Sequence, residues 1–224
     1  MKVSEAFRSL SSIPPLLRKI ENIKKPATAA ELVAISMECP AIQSQQIRSE
    51  FLELAKMVQE QHCKYILEIG TYRGGTLFVF AQLAAADATV ISLDFHFTSL
   101  GKVYGAFQKP LLRKFVRNGQ SLVLMRKDSH KPETLASING ILQGNKLDFL
   151  FIDGDHTYEG VREDFKMYSP LVRSGGLIAF HDIALSGGSR EVYKFWEEIK
   201  SNYEHSEFIH KTGSGAMGIG VLRV

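Results

Sequence analysis

From residue 65 onward the chain alternates short apolar runs with longer stretches of helical periodicity. The runs are YILEIG from Tyr65, TVISLDF from Thr89, SLVLMR from Ser121, LDFLFID from Leu147 and GLIAFHD from Gly176. Each is short and apolar, which predicts a buried strand. Helices are predicted between them, from about Thr76, Lys102, Pro132 and Gly160. Upstream, IQSQQIRSEFLELAKMVQEQH carries Ile47, Phe51, Leu54 and Val58 at helical spacing. Downstream, a helix around Val192 to Lys200 precedes EFIHK and AMGIGVLRV, which read as a closing hairpin with an antiparallel strand. The first forty residues form a helical preamble broken by Pro14-Pro15 and Pro26. This β-α alternation predicts an α/β fold: a Rossmann-like, doubly wound, mostly parallel seven-stranded sheet, with an antiparallel C-terminal hairpin and an N-terminal helical extension.

Composition narrows the function. The chain has 224 residues, 45% hydrophobic and 23% charged, which is ordinary for one domain with a full core. The net charge of +3 is too small to argue for nucleic acid, and Lys24-Lys25 and Arg126-Lys127 are short surface pairs. No run approaches the ~18 apolar residues of a membrane span. Arg8, Pro14-Pro15 and Lys19 interrupt any secretory h-region. The two cysteines, Cys39 and Cys63, have no metal-site spacing. A cytoplasmic protein is expected, with no nucleic-acid and no membrane partner. A homo-oligomer is compatible with this sequence.

Ligands of such sheets bind beyond the carboxyl ends of the strands. Those ends are Glu68-Ile69-Gly70, Asp94, Asp128-Ser129, Asp153 to His156, and His181-Asp182. Every one carries an acid, which a purely structural sheet does not need. The first strand runs into EIGTYRGGT (Glu68, Gly70, Tyr72, Gly74, Gly75, Thr76), a glycine-rich turn into a helix that lets a ligand approach the backbone. The second glycine of G-x-G-x-x-G is missing, and Tyr72-Arg73 crowd the place of a pyrophosphate. Asp94, about twenty residues on, is placed to accept ribose hydroxyls. The expected ligand has a ribose and no diphosphate against the loop.

EIGTYRGGT, Asp94, KDSH, IDGDHTYEGVREDF and FHDI, in that order, resemble the class I S-adenosylmethionine-dependent methyltransferases. The resemblance is closest to the small-molecule O-methyltransferases with D-G-x-H-x-Y after strand four, which act on sugar or phenol hydroxyls. It covers about Ile42 to Val224, and places an S-adenosylmethionine-binding methyltransferase domain over 41–224 behind an extension over 1–40. It implies that Glu68 and Gly70 line the methionine and ribose side and that Asp94 holds the ribose. Tyr72, Gly74, Gly75, Thr76 and Asp153 complete the cofactor site. Asp128 and Ser129 would contact the adenine, with Asp128 as cap of the Pro132 helix as the rival role.

Methyl transfer to a hydroxyl requires a base and an in-line acceptor. The resemblance implies His156 as the catalytic base, assisted by Asp153. It also implies a divalent ion, magnesium or manganese, held by Asp153, His181 and Asp182. His181 departs from the oxygen set that magnesium prefers and suits a softer ion. The bland alternatives are that Asp153-Gly154 is a turn, Asp155 a helix cap and His156 a surface residue stacked on Tyr158. His96, His130, His205 and His210 read as structural or surface, and Trp196 as core. The acceptor, a small molecule with a hydroxyl, would meet the preamble, Phe95 to Gln108 (Phe97, Lys102, Tyr104, Phe107) and Ser186 to Ser189, where Gly187-Gly188 suggest a lid. Competing classes are a metal-dependent hydrolase, an NAD-dependent oxidoreductase and a non-catalytic binder.

Overall fold

The computed structural model describes residues 3–23, 27–95, 108–184, 190–210 and 217–224. The helix start near Lys102, the acceptor candidates Phe97, Tyr104 and Phe107, His96, and segment 186–189 with its glycine pair lie outside the described residues.

Among the described residues, seven strands form one sheet: β1 (Tyr65–Ile69), β2 (Thr89–Leu93), β3 (Ser121–Met125), β4 (Leu147–Ile152), β5 (Val172–His181), β6 (Glu204–Phe208) and β7 (Ile219–Arg223). Their order is β3-β2-β1-β4-β5-β7-β6. Strands β1 to β5 run parallel, and β7 lies antiparallel between β5 and β6. The predicted Rossmann-like sheet and its C-terminal hairpin are both present. One boundary differs: β5 begins at Val172, not Gly176. The register against β4 shifts between Leu147 and Phe149, so the strand pairs in two parts around a bulge. A Cβ at Gly176 would lie 2.6 Å from the Val172 side chain and 2.9 Å from the Arg173 carbonyl, so the bulge needs glycine.

The helices are α1 (Val3–Ser11), α2 (Ile13–Glu21), α3 (Ala29–Glu38), α4 (Arg48–Gln61), α5 (Gly75–Leu83), α6 (Pro132–Leu142), α7 (Tyr158–Tyr168) and α8 (Val192–Ile199). Pro14 and Pro15 fall in the first turn of α2, where a missing N–H costs nothing. Thr28 starts α3 with a capping box: its hydroxyl accepts from Glu31 N–H and the Glu31 carboxylate accepts from Thr28 N–H. Helix α4 starts at Arg48, later than the periodicity suggests, because residues 43–46 are spent elsewhere, as described below.

Alternation along the strands sends side chains to two cores. Ile66, Val90, Phe149, Phe151, Leu177 and Ala179 face α3, α4 and α5. Leu67, Ile69, Ile91, Leu150, Ile152, Ile178 and Phe180 face α6, α7 and α8. Both faces are covered, as a parallel sheet requires. Phe80 of α5 is the hub of the first core: its ring meets Phe51, Phe149 and Phe151 edge-on, with centroids at 5.9, 4.9 and 5.4 Å. Trp196 anchors the second, and its indole N–H donates to Glu207 at 2.6 Å. Truncating Phe80→Ala should cost about 3–5 kcal/mol. Urea unfolding should show it as a lower midpoint with an unchanged slope.

Candidate active site

The strand order reverses between β1 and β4, so a crevice opens where their carboxyl ends part. A cleft of about 780 Å³ lies there. It is bordered by the loop after β1, by Asp94 after β2, by Asp128 to His130 after β3, by Asp153 to Thr157 after β4, and by His181 and Asp182 at the end of β5. The chain thus brings together every predicted site residue except two. Gly74 does not border the cleft, and Glu68 is fully buried beneath the loop.

The glycines of the loop serve the protein's own packing. Gly70 has φ +89°, and a Cβ there would overlap the Asp153 carbonyl. Gly74 has φ +88° and packs on Leu112; Gly75 packs on the Ile42 carbonyl. Tyr72 also takes a left-handed conformation, at φ +47°. What holds this turn is Asp94: one carboxylate oxygen accepts N–H bonds from Thr71 and Tyr72, both at 2.9 Å. Asp94 therefore braces the loop as well as bordering the cleft.

Glu68 is surrounded by core. Burial pushes its carboxyl up to about 8, against the hydroxyls of Thr76 and Thr71, which favour the charged form.

The acids and histidines form one chain of contacts. Asp153 Oδ2 accepts from the Gln46 amide at 2.9 Å. Asp153 Oδ1 lies 3.1 Å from His181 Nδ1 and 3.8 Å from His156 Nε2. His181 Nδ1 is also 3.4 Å from Asp182 Oδ1. Asp182 Oδ2 receives His156 Nδ1 at 2.6 Å and Arg190 Nη1 at 3.2 Å. Asp182 is fully buried and left-handed, at φ +66°, a conformation that costs roughly 1–3 kcal/mol and clusters at functional sites.

The bond from Asp182 raises the His156 pKa above its ordinary value, against the opposing effect of burial, and Asp153 adds to it. Burial pulls His181 down, but Asp153 and Asp182 outweigh it and lift the imidazole to about 9. Burial works against the Asp182 charge too. The His156 bond and the charges of His181 and Arg190 prevail, and its pKa is lowered.

These pairings bear on the expected ion. Both oxygens of Asp153 and Oδ2 of Asp182 are hydrogen-bonded to nitrogens of Gln46, His181, His156 and Arg190, whereas buried Asp182 Oδ1 has no hydrogen-bond partner and lies 3.4 Å from His181 Nδ1. A magnesium or manganese set needs carboxylate oxygens turned toward the ion. The donor set does not fit one, and among the described residues no group of three or more His, Cys, Asp or Glu could hold a metal.

The bland alternatives resolve individually. Residue 156 is not stacked on Tyr158, whose ring packs on Phe195 and whose hydroxyl reaches Glu198. Asp155 does not cap α7; Thr157 does, and Asp155 accepts from Thr157 N–H and hydroxyl at 2.9 and 2.8 Å. Asp128 does not cap α6 either. It accepts from His130 N–H at 2.9 Å, folding a tight turn along the cleft. His130 is structural, 3.2 Å from the Gly160 carbonyl and from Asp164.

Sequence reasoning missed Gln46, Arg190 and Glu50. Fully buried Glu50 of α4 accepts from His210 and Gly218 N–H at 2.8 and 3.1 Å, tying the ends of the β6–β7 connection to the site. A lone glutamine, a glutamate on a helix face and an arginine ahead of a helix give no sequence signal. Gln43 to Gln46 line the cleft, which is why α4 starts late.

A family model described as a methyltransferase domain matches residues 67–183. The chain belongs to this methyltransferase family. Two curated relatives are uncharacterized proteins, one from Sinorhizobium fredii and one from Acanthamoeba polyphaga mimivirus. The first is 24% identical over 68% of the chain and the second 30% over 58%. The aligned regions span only 17% and 55% of those proteins' lengths. Among solved structures, an O-methyltransferase from Bacillus cereus in complex with SAH is 19% identical at TM-score 0.58, covering 91% of this chain and 93% of that one. The O-methyltransferase TomG from Streptomyces achromogenes, in complex with SAM, is 14% identical at TM-score 0.60, covering 100% and 99%. An rRNA methylase from Streptococcus thermophilus is 9% identical at TM-score 0.56, covering 78% and 95%. At such identities these likenesses establish the methyltransferase domain's fold. That fold places Gly70 against Asp153, so Gly70→Ala should destabilise the domain by about 1–3 kcal/mol or more, read as a lowered thermal midpoint.

Proposed function

We propose that this methyltransferase domain moves a methyl group from S-adenosylmethionine to a hydroxyl of a small molecule, with His156 as general base. The observation that carries the reading is the Asp182–His156 pair, 2.6 Å apart, on the wall of the same cleft that Gly70 and Asp94 border.

The residues suit the cofactor. The Asp94 carboxylate stands at the end of β2 for the ribose, and the turn over Asp128 and Ser129 offers an edge for the adenine. Gly70, Tyr72, Gly75 and Thr76 present the loop backbone and the first turn of α5 to the methionine part. The cleft volume lies within the roughly 300–1,000 Å³ of small-molecule sites. The bound cofactor supplies an electrophilic methyl. The Bacillus and Streptomyces structures are complexes with SAH and SAM, which supports the same choice here.

The chain supplies the proton chemistry. The Asp182 carboxylate accepts the Nδ1 proton of His156, which fixes the tautomer and leaves the Nε2 lone pair to take the acceptor proton. Arg190 holds Asp182 in turn. Asp153 stands 3.8 Å from Nε2 and stabilises the imidazolium that forms. Three of the four oxygens that would hold a divalent ion are hydrogen-bonded to nitrogens, so the proton chemistry falls to the histidine and its acids. Glu68 lies buried below the loop. A small acceptor fits the modest charge better than nucleic acid does. Among the described residues no helix is long and apolar enough to cross a membrane, and both cysteines are free, which supports a cytoplasmic setting.

Calorimetry with S-adenosylhomocysteine, with NAD as control, tests the cofactor; NAD binding without S-adenosylhomocysteine binding would sink the reading. Asp94→Ala removes two charge-assisted loop bonds and a cleft carboxylate. Its dissociation constant should rise about 10- to 100-fold. The pH profile tests the base. His156 works when neutral, and Asp182 and Asp153 raise its pKa while His181 lowers it. Turnover should therefore climb with pH through an inflection above the ordinary histidine value. Asp182→Asn should move that inflection down. An inflection that ignores Asp182→Asn would remove His156 from the mechanism.

A further inference from the structure

The centre of the site poses a question that the methyl-transfer reading leaves unanswered. Asp153 and Asp182 sit at adjacent strand ends and are largely withdrawn from water, so their charges need a counter-ion. The side chain between them is His181, at the last position of β5 and only 4% exposed. Its Nδ1 lies 3.1 Å from Asp153 Oδ1 and 3.4 Å from Asp182 Oδ1. The outer oxygens are taken by Gln46 on one side and by His156 and Arg190 on the other.

We propose that the His181 side chain stands in for a divalent cation, bridging Asp153 and Asp182 so that Asp182 can hold His156 at the cleft. The inference rests on the methyltransferase reading for its purpose, but its geometry is independent of it. His181 is a positioning residue. It acts through Asp182, and through it on His156. The bridge makes the charge arrangement part of the covalent chain, present without metal loading. It also accounts for Arg190 and Gln46, which would compete with an ion for the same oxygens.

The test is a Mn²⁺ titration of the full chain by calorimetry, with and without S-adenosylhomocysteine, on wild type and on His181→Asp. Wild type should show no stoichiometric Mn²⁺ site, and its thermal midpoint should be the same in EDTA and in Mn²⁺. His181→Asp turns the bridge into a third carboxylate. It should bind Mn²⁺ at least tenfold more tightly than wild type, with a thermal midpoint that rises on Mn²⁺ addition. One Mn²⁺ bound per wild-type chain overturns the proposal, and so does a folded His181→Asp chain that binds no more Mn²⁺ than wild type. If that variant does not fold, the wild-type titration decides alone. Failure of S-adenosylhomocysteine to bind in the same runs counts against the methyltransferase reading and leaves the Mn²⁺ result to be read separately.

Discussion

The site depends on how closely the end of β1 passes the end of β4. Asp153 N–H donates to the Ile69 carbonyl at 2.8 Å, and Gly70 N–H donates to Leu93 at 2.9 Å. Between those bonds the backbone at Gly70 lies so near the Asp153 carbonyl that no side chain fits. The parallel sheet creates this contact because β1 and β4 pair in register up to Ile69 and Ile152, then part. The loop that borders the cleft and the turn that carries Asp153 and His156 are thus fixed to each other through backbone, not through long side chains. Such fixing is what proton transfer and in-line attack both require.

Electrostatics then decides what the cleft can do. The contact chain runs Gln46, Asp153, His181, Asp182, His156 and draws on three separate parts of the fold: the segment before α4, the turn after β4 and the end of β5. Arg190, just before α8, closes it from outside. None of these groups could stay charged and buried alone. Together they offset one another, and the left-handed strain at Asp182 is tolerated because two imidazoles and a guanidinium surround its carboxylate. The network exists only once the sheet is complete, so fold and base are assembled together.

The sheet was legible because its signals are local. Apolar runs of strand length separated by helical stretches define β1 to β4 within a residue or two and the second part of β5, and Asp94, Asp153 and His181-Asp182 stand out at the ends of those runs. What each acid does was not legible, since that depends on partners far along the chain. Gln46 meets Asp153 across 107 positions, and Glu50 meets Gly218 across 168. The late start of α4 has the same origin. Periodicity placed Ile47 inside a helix, but the contacts of Gln46 and of the Ile42 carbonyl hold that stretch open. Asp182 was expected as an oxygen ligand by its position and is found as the orienting partner of a histidine, because the neighbouring residue is His181 and Arg190 folds back on it.

Strand ends in one sheet therefore give like residues unlike chemistry. Glu68 lies near the end of β1 inside the core, where burial raises its pKa. Asp94 ends β2 at the surface of the cleft and spends one oxygen on two backbone amides. Asp153 ends β4 between an amide and an imidazole, and Asp182 ends β5 among two imidazoles and a guanidinium. The sequence shows four acids in equivalent places. Desolvation and the nearest donors separate them into a buried carboxyl with a raised pKa, a loop brace, a charge beside His156 and the group hydrogen-bonded to that histidine. The fold supplies the positions, and the partners assign the roles.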